Sequence, residues 1–385
     1  MSAGVVAVLG VPATAARAGD TVRSEQWHLR TLNVAGAWTW SQGAGVTVAV
    51  IDSGVDARQV DLRGQVLPGL DLVDTEGDGD TDLVGHGTTV AAIIAGKDDA
   101  AGVAGIAPKA RILPVRVLDQ TNRYNDALVV AEGVRWAVDH GAKVINLSLG
   151  GGAGSAALAA AIDYAFAKDV VVVACTGNVS ASTTNAVWYP AREPGVIAVS
   201  GVDRSGDALW SGSNYGRETA VTAPAAHIVG IYPDGYNKAS GTSFAAPIVA
   251  GTVALVRSRW PSMPAGEVVN RILRTARDRG PEGRDEKYGF GLVDPTGALT
   301  AEVPAVEGNP LDTSPAPGHA RLGTPGASGS APLGDRAQAD RAAADAGASA
   351  ASPAGDESRS RLWWPAAALL LLTAGLGVAI IRRSS

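Results

Sequence analysis

Between about Thr21 and Thr300 the chain alternates short apolar, β-branched runs with longer segments of helical spacing, and no other feature limits its possible folds so much. Residues 46–52 (VTVAVID) are a β-branched run, 87–95 read as a helix, 112–118 are extended, and 126–140 have helical spacing closed by Gly141. Residues 144–149 are extended again, 156–168 helical and 170–174 strand-like. Further strands are expected at 196–199 and 220–223, then a long helix from about Ser243 and a last one at 264–276. Strands that are apolar throughout and separated by helices indicate a parallel sheet covered on both faces. The expected fold is α/β, three layers with a mainly parallel central sheet. A length of 385 residues suffices for one such domain and additional segments.

The character of the chain changes after Thr300. Residues 301–360 are rich in Ala, Pro, Gly and Ser and hold no aromatic side chain. Such a segment cannot bury enough apolar surface to offset its ordering entropy, so a flexible linker is expected. An uncharged stretch then begins at Leu362 and ends at Ile381, about long enough to cross a bilayer as one helix. Trp363 and Trp364 stand at one edge, where aromatic rings favour the headgroup level, and Arg382 and Arg383 close the other. Arg359 and Arg361 balance that second pair, so positive charge alone gives no orientation. Near the N-terminus, residues 3–11 are a short apolar run followed by small-residue cleavage sites at 13–15 or 16–18, although no positive charge precedes the run. A signal peptide over 1–18 would place a domain at 19–300 on the outer face of the cell membrane. The linker at 301–360, a single transmembrane helix at 361–381 and a short cytoplasmic tail at 382–385 would follow.

Three motifs stand at strand–loop–helix junctions. Residues 50–56 (VIDSGVD) put Asp52 at the carboxyl end of a buried strand, and the active cleft of an open α/β sheet lies beyond such ends. Alone, an Asp there is more often a turn or cap residue. Residues 85–90 (GHGTTV) set His86 between glycines that let the backbone turn tightly at the start of an apolar helix. Of the five histidines, His140 precedes Gly141 at a helix end, His319 falls in the linker, His28 lies near the N-terminus and His227 in a strand-like stretch. Only His86 has a setting that displays it. Residues 241–247 (GTSFAAP) place Ser243 at the start of a long helix, where a serine is commonly a cap. Pro247 is expected inside the first turn, where the donor it lacks would have no partner anyway.

Together the motifs say more than they do singly. A serine hydroxyl is a poor nucleophile until a base takes its proton, and that base needs a carboxylate to fix its tautomer and stabilise its charge. Asp52, His86 and Ser243 supply those three roles. Asn178, just after the strand at 170–174, can donate to a developing oxyanion, a contribution on the order of 10²–10³ in rate. By itself Asn178 reads as a turn residue after a strand.

These motifs resemble those of the subtilisin-like serine peptidases, over roughly residues 24–300. The resemblance implies an Asp52–His86–Ser243 triad with Asn178 in the oxyanion hole. It also implies that Ser148, Leu149, Gly150 and Gly151 form a strand edge along which a substrate backbone pairs. Ala174, Cys175 and Thr176 would line the pocket for the side chain before the scissile bond. Within the family the layout is similar to the mycosins, membrane-anchored peptidases that accompany type VII secretion in actinobacteria. Residues 26–29 (QWHL) follow soon after the signal, no long inhibitory propeptide intervenes, Phe244 follows the serine, and a Pro/Ala linker leads to one terminal span. The implied partners are protein or peptide substrates and subunits of a type VII secretion complex. An alternative role is a structural stabiliser of that complex with dispensable proteolysis. Mycosins commonly carry disulfides, and the single cysteine here, Cys175, can form none within the chain.

Other features narrow the field. A net charge of −6 without clustered Lys and Arg gives no reason to expect nucleic acid. Cys175 is either a reactive thiol beside Asn178 or a small packed hydrophobe, and its place after a buried strand favours packing. Asp74, Glu76, Asp78, Asp80 and Asp82 are either oxygen ligands for a structural calcium ion or a solvated acidic loop. The spacing is not that of an EF-hand, because Gly85 stands at position twelve. No cofactor and no catalytic metal are expected.

Overall fold

The computed structural model describes residues 18–74, 77–99, 102–124, 126–179 and 186–312. All but the last residue of the expected signal peptide, most of the linker and the terminal span lie outside the described residues. Among the described residues no helix is long and apolar enough to cross a membrane.

Three short helices, α1 (Ala18–Glu25), α2 (Trp27–Thr31) and α3 (Val34–Trp38), precede strands β1 (Thr47–Asp52) and β2 (Leu70–Asp71). Helix α4 (His86–Ala95), β3 (Arg111–Arg116), α5 (Ala127–Asp139), β4 (Val144–Leu147), α6 (Ala156–Ala167) and β5 (Val171–Cys175) then alternate. Strands β6 (Ile197–Val202) and β7 (Thr219–Pro224) follow, and β8 (Ile228–Tyr232) pairs with β9 (Gly235–Ala239) as a hairpin. Helices α7 (Thr242–Arg259), α8 (Ala265–Thr275) and α9 (Pro295–Thr300) come last. The main sheet runs β2-β3-β1-β4-β5-β6-β7 with every pair parallel.

The apolar runs read from the sequence are the strands of this sheet, and their two-sided burial explains why they do not alternate with polar residues. Val48 and Val50 of β1 join the core under α4 and α7, whereas Ala49 and Ile51 join the core under α5 and α6. Strand β5 divides the same way, with Val171, Val173 and Cys175 on one face and Val172 and Ala174 on the other. Each fully buried Val or Ile contributes roughly 1.5–3 kcal/mol. The β8–β9 hairpin is an addition to the expected elements; Pro233 and Asp234 form its turn and Gly235 follows at φ 118°.

Two extensions are tied to this body by side chains. Gln26 exchanges hydrogen bonds with Ala104, donating to its carbonyl at 2.8 Å and accepting from its N–H at 2.9 Å. Trp27 Nε1 donates to Ala226 O at 3.1 Å, and Arg23 pairs with Asp98 at 2.7 Å. The QWHL segment is therefore an anchor for the N-terminal helices. At the other end the chain keeps to the domain beyond Thr300, where the linker was expected to start. Arg271 donates to Ala301 O at 2.8 Å, Asn270 to Pro304 O at 3.0 Å and Asn309 to Gly195 O at 2.8 Å.

His28 is fully buried, and neither ring nitrogen has a hydrogen-bond partner among the described residues. Burial, assisted by the positive charge of Arg30, drives its pKa from 6.5 down to about 3. The folded state holds His28 neutral while the unfolded chain binds a proton below 6.5, so stability falls as pH drops from 6.5 towards about 3. The slope from this one group is about 1.4 kcal/mol per pH unit. Denaturant unfolding of wild type and His28→Leu across that window should show the variant losing less stability in acid. Parallel curves would rule out His28 as the source.

Candidate active site

Strand β1 ends on Asp52, fully buried, and α4 begins on His86. Asp52 Oδ1 accepts from the Ser53 N–H at 2.8 Å and from His86 Nδ1 at 2.7 Å. An ionised carboxylate can only accept, so the ring proton sits on Nδ1 and Nε2 is left as an acceptor. The approach of α4 to β1 depends on Gly87: a Cβ there would stand 2.1 Å from the Gly54 carbonyl oxygen and 3.2 Å from Asp52 Cβ. Burial of the imidazole works against its protonation, but the charge of Asp52, its hydrogen bond and the charge of Asp82 outweigh that. The His86 pKa therefore lies above the ordinary 6.5.

The acidic loop divides. Asp78 and Asp80 are exposed, and Glu76 lies outside the described residues. Asp82 is neither solvated nor placed as a cation ligand, because its two carboxylate oxygens are consumed by the protein. Oδ1 accepts from Ser53 Oγ at 3.0 Å, Val84 N at 3.0 Å and Gly85 N at 2.8 Å. Oδ2 accepts from Thr88 N at 2.9 Å and Thr88 Oγ1 at 2.7 Å. Burial pushes the Asp82 carboxyl above its ordinary pKa, and the bonds from Thr88 and Gly85 oppose that shift. Asp82 thus closes the first turn of α4 by bonding Gly85 ahead of His86 and Thr88 after it. Among the described residues no group of three or more His, Cys, Asp or Glu side chains is placed to hold a metal ion.

Ser243 is the second residue of α7 and is buried. Pro247 falls beyond the first turn, contrary to expectation, at the position whose N–H would normally bond the Ser243 carbonyl. Ser148 repairs the gap: its Oγ donates to Ser243 O at 2.8 Å and accepts from Asn146 Nδ2 at 2.9 Å. The next side chain, Phe244, lies with its ring centroid 5.6 Å from that of His86. Ser243 Oγ and His86 Nε2 are both buried and both without a hydrogen-bond partner among the described residues.

Asn178 follows β5 and is held by α7. Its Oδ1 accepts from Thr242 N at 3.0 Å and Thr242 Oγ1 at 3.1 Å, which leaves the amide Nδ2 as its donor for a ligand. Gly177 before it has φ 91°, and a Cβ there would lie 2.2 Å from the Trp188 ring. Gly151, expected in the substrate-pairing edge, has both backbone groups taken by Tyr189, at 2.9 and 2.8 Å. Ser148, Leu149 and Gly150 make no backbone bond with Tyr189, although the Tyr189 carbonyl oxygen lies where a Cβ of Gly150 would stand. Ala174, Cys175 and Thr176 are all buried. Burial pushes the Cys175 thiol up to about 11, and its Sγ lies 3.8 Å from Leu149 O, the setting of a packed side chain. Thr176 Oγ1 donates to Asn214 O at 2.8 Å.

Comparison with known proteins gives the family of the chain. The model of the subtilase family, Peptidase_S8, matches residues 43–291, a span that holds Asp52, His86, Asn178 and Ser243. The chain belongs to the subtilase family. It is a serine-type endopeptidase by that membership. It is 40% identical over 254 residues to subtilisin DY of Bacillus licheniformis, covering 66% of this chain and 90% of that one. The solved structure of MycP1 from Mycobacterium smegmatis matches with a TM-score of 0.65 at 30% identity, over 76% of this subtilase and 89% of that chain. MycP3 protease from the type VII (ESX-3) secretion system matches with a TM-score of 0.63 at 33% identity, over 76% and 91% of the two chains.

Sequence reasoning missed Asp82, Thr242 and the structural duty of Ser148 in this subtilase. Asp82 stands one turn ahead of His86, a usable signal hidden among equally spaced carboxylates. Replacing Asp82→Asn removes one negative charge near His86 and one acceptor oxygen, the counterpart of the Oδ2 that takes both bonds from Thr88. The acid limb of the pH–rate profile should move to lower pH, because His86 is then less easily protonated. Loosened positioning should lower kcat by roughly one to two orders of magnitude with KM little changed. An acid limb that stays in place would contradict the role given to Asp82.

Proposed function

We propose that Asp52, His86 and Ser243 act as a catalytic triad and Asn178 as an oxyanion donor, in a peptidase that cleaves secreted protein or peptide substrates. The observation that carries this is the buried 2.7 Å bond from His86 Nδ1 to Asp52, with His86 Nε2 and Ser243 Oγ both buried and without a hydrogen-bond partner among the described residues. A buried base and a buried hydroxyl without partners cost stability, which a site tolerates when a substrate completes it. In this scheme His86 Nε2 takes the Ser243 proton as Oγ attacks the scissile carbonyl carbon. The carbonyl oxygen gains the negative charge and is met by Asn178 Nδ2 and by the Ser243 N–H in the first turn of α7, where helix donors lack internal partners. His86 then returns the proton to the leaving amine, and water hydrolyses the acyl-enzyme by the same steps in reverse. Substrate backbone pairs along Ser148 to Gly150.

The topology proposed is that of a mycosin-like enzyme associated with type VII secretion. A signal peptide at 1–18 exports the domain, and the segment from Leu362 to Ile381 holds it at the outer face of the cell membrane with its C-terminus cytoplasmic. The likeness to MycP1 and MycP3 supports this, as does the composition of the C-terminal segment.

Ser243→Ala should abolish both turnover of a peptide substrate and labelling by a fluorophosphonate. Asn178→Ala should lower kcat by about 10²–10³ while KM changes little. Retained turnover in Ser243→Ala would overturn the nucleophile assignment.

A further inference from the structure

The proposed catalytic groups gather at the carboxyl ends of the strands, and the opposite ends carry a different chemistry. Lys109 and Arg111 at the entry to β3 and Lys143 at the entry to β4 are exposed. Main-chain bonds set these entries beside the loop that leads into β1: Lys109 N donates to Gln42 O at 2.8 Å, Arg111 N to Val46 O at 2.9 Å and Lys143 N to Thr47 O at 2.9 Å. That loop presents Trp40, which is 50% exposed. Helix α7 ends at the same place, where Ser258 Oγ donates to Ala44 O at 2.8 Å. The Arg259 guanidinium lies 4.6 Å from the Trp40 ring centroid and 4.9 Å from that of Trp260. Lys109, Arg111, Lys143 and Arg259 form no ion pair among the described residues, and the adjoining Asp169 and Asp139 are engaged by Arg257 and by the Tyr164 hydroxyl.

A second observation concerns the last described residues. Gly195, just before β6, accepts from Asn309 Nδ2 at 2.8 Å and donates to Leu311 O at 2.9 Å. The last described residues therefore run along this same end of the sheet. In a chain of net charge −6, a face of unpaired cations around an Arg clasped by two indoles is a segregated feature. Indole rings favour the headgroup level of a bilayer, and each Lys or Arg near an anionic leaflet adds about 1 kcal/mol of attraction.

We propose that this strand-entry face is a resting surface for anionic phospholipid headgroups, which turns the active cleft away from the membrane. The proposal rests on the anchored topology put forward above and adds an orientation to it. Trp40 enters the headgroup layer, with Trp260 packed behind it against the core, while Lys109, Arg111, Lys143 and Arg259 meet lipid phosphates.

The test uses the full-length chain in vesicles. Buried Cys175 leaves the wild type unlabelled, so Ala44→Cys on this face and Leu83→Cys, 61% exposed on the cleft side, each carry a single environment-sensitive fluorophore. Quenching by headgroup-proximal spin-labelled lipid should be several-fold greater at position 44 than at 83 in phosphatidylglycerol vesicles. It should fall in phosphatidylcholine and in Lys109→Glu/Arg111→Glu/Lys143→Glu, while fluorophosphonate labelling of that variant shows the fold intact. Vesicle flotation separates the two layers of the account. Flotation with equal quenching at both positions overturns the resting face alone, and absence of flotation overturns the anchor together with it. Shielding of position 44 without lipid quenching would make the face a contact between copies of this chain, which also overturns the lipid assignment.

Discussion

The hydrogen bond between Asp52 and His86 is the contact on which the rest of the site is built. It joins the end of a central strand to the first residue of a helix, so its 2.7 Å length is set by how closely α4 can approach β1. That approach needs a residue without a side chain at Gly87, and it needs the first turn of α4 closed from outside. Asp82 does the closing through Ser53, Gly85 and Thr88. Two buried carboxylates beside one imidazole also decide the electrostatic outcome. Desolvation alone would make His86 a weak base, and the paired negative charges reverse that sign.

The serine half of the site answers a different problem, how to hold a hydroxyl at a helix start without letting it act as a cap. Gly241 occupies the cap position without a side-chain oxygen. Thr242 is occupied by Asn178 and Gly177. Ser243 then has its carbonyl claimed by Ser148, a bond that exists because Pro247 cannot supply one. The hydroxyl is left over. The parallel sheet acts as the ruler that sets these pieces side by side, since Asp52 ends β1 while Ser148 and Asn178 follow β4 and β5, and these three strands are adjacent.

What was legible in the sequence was whatever is carried locally. The parallel sheet showed because its strands are buried on both faces, and Asp52, His86 and Ser243 showed because each sits in a short motif at a junction. The hairpin of β8 and β9 was overlooked although Pro233, Asp234 and Gly235 are turn residues, because its strands are short and β9 is largely exposed. Spacing does not set Asp82 apart from its neighbours, since burial of one carboxylate among several is decided by tertiary packing. Pro247 was placed a turn too early for the same reason that helix ends are hard to read: the cap, here Gly241, is a backbone conformation and not a residue type. Gly151 looked like a free edge because its partner, Tyr189, is remote in sequence.

The account depends most on a base made stronger, not weaker, by its surroundings. Measuring the pKa of His86 directly by NMR of the ¹⁵N-labelled imidazole in the folded protein addresses that point. The account predicts titration above the ordinary 6.5, with a proton retained on Nδ1, and a fall in that value in Asp52→Asn. Titration at or below 6.5 in the wild type, or no change in Asp52→Asn, would contradict it.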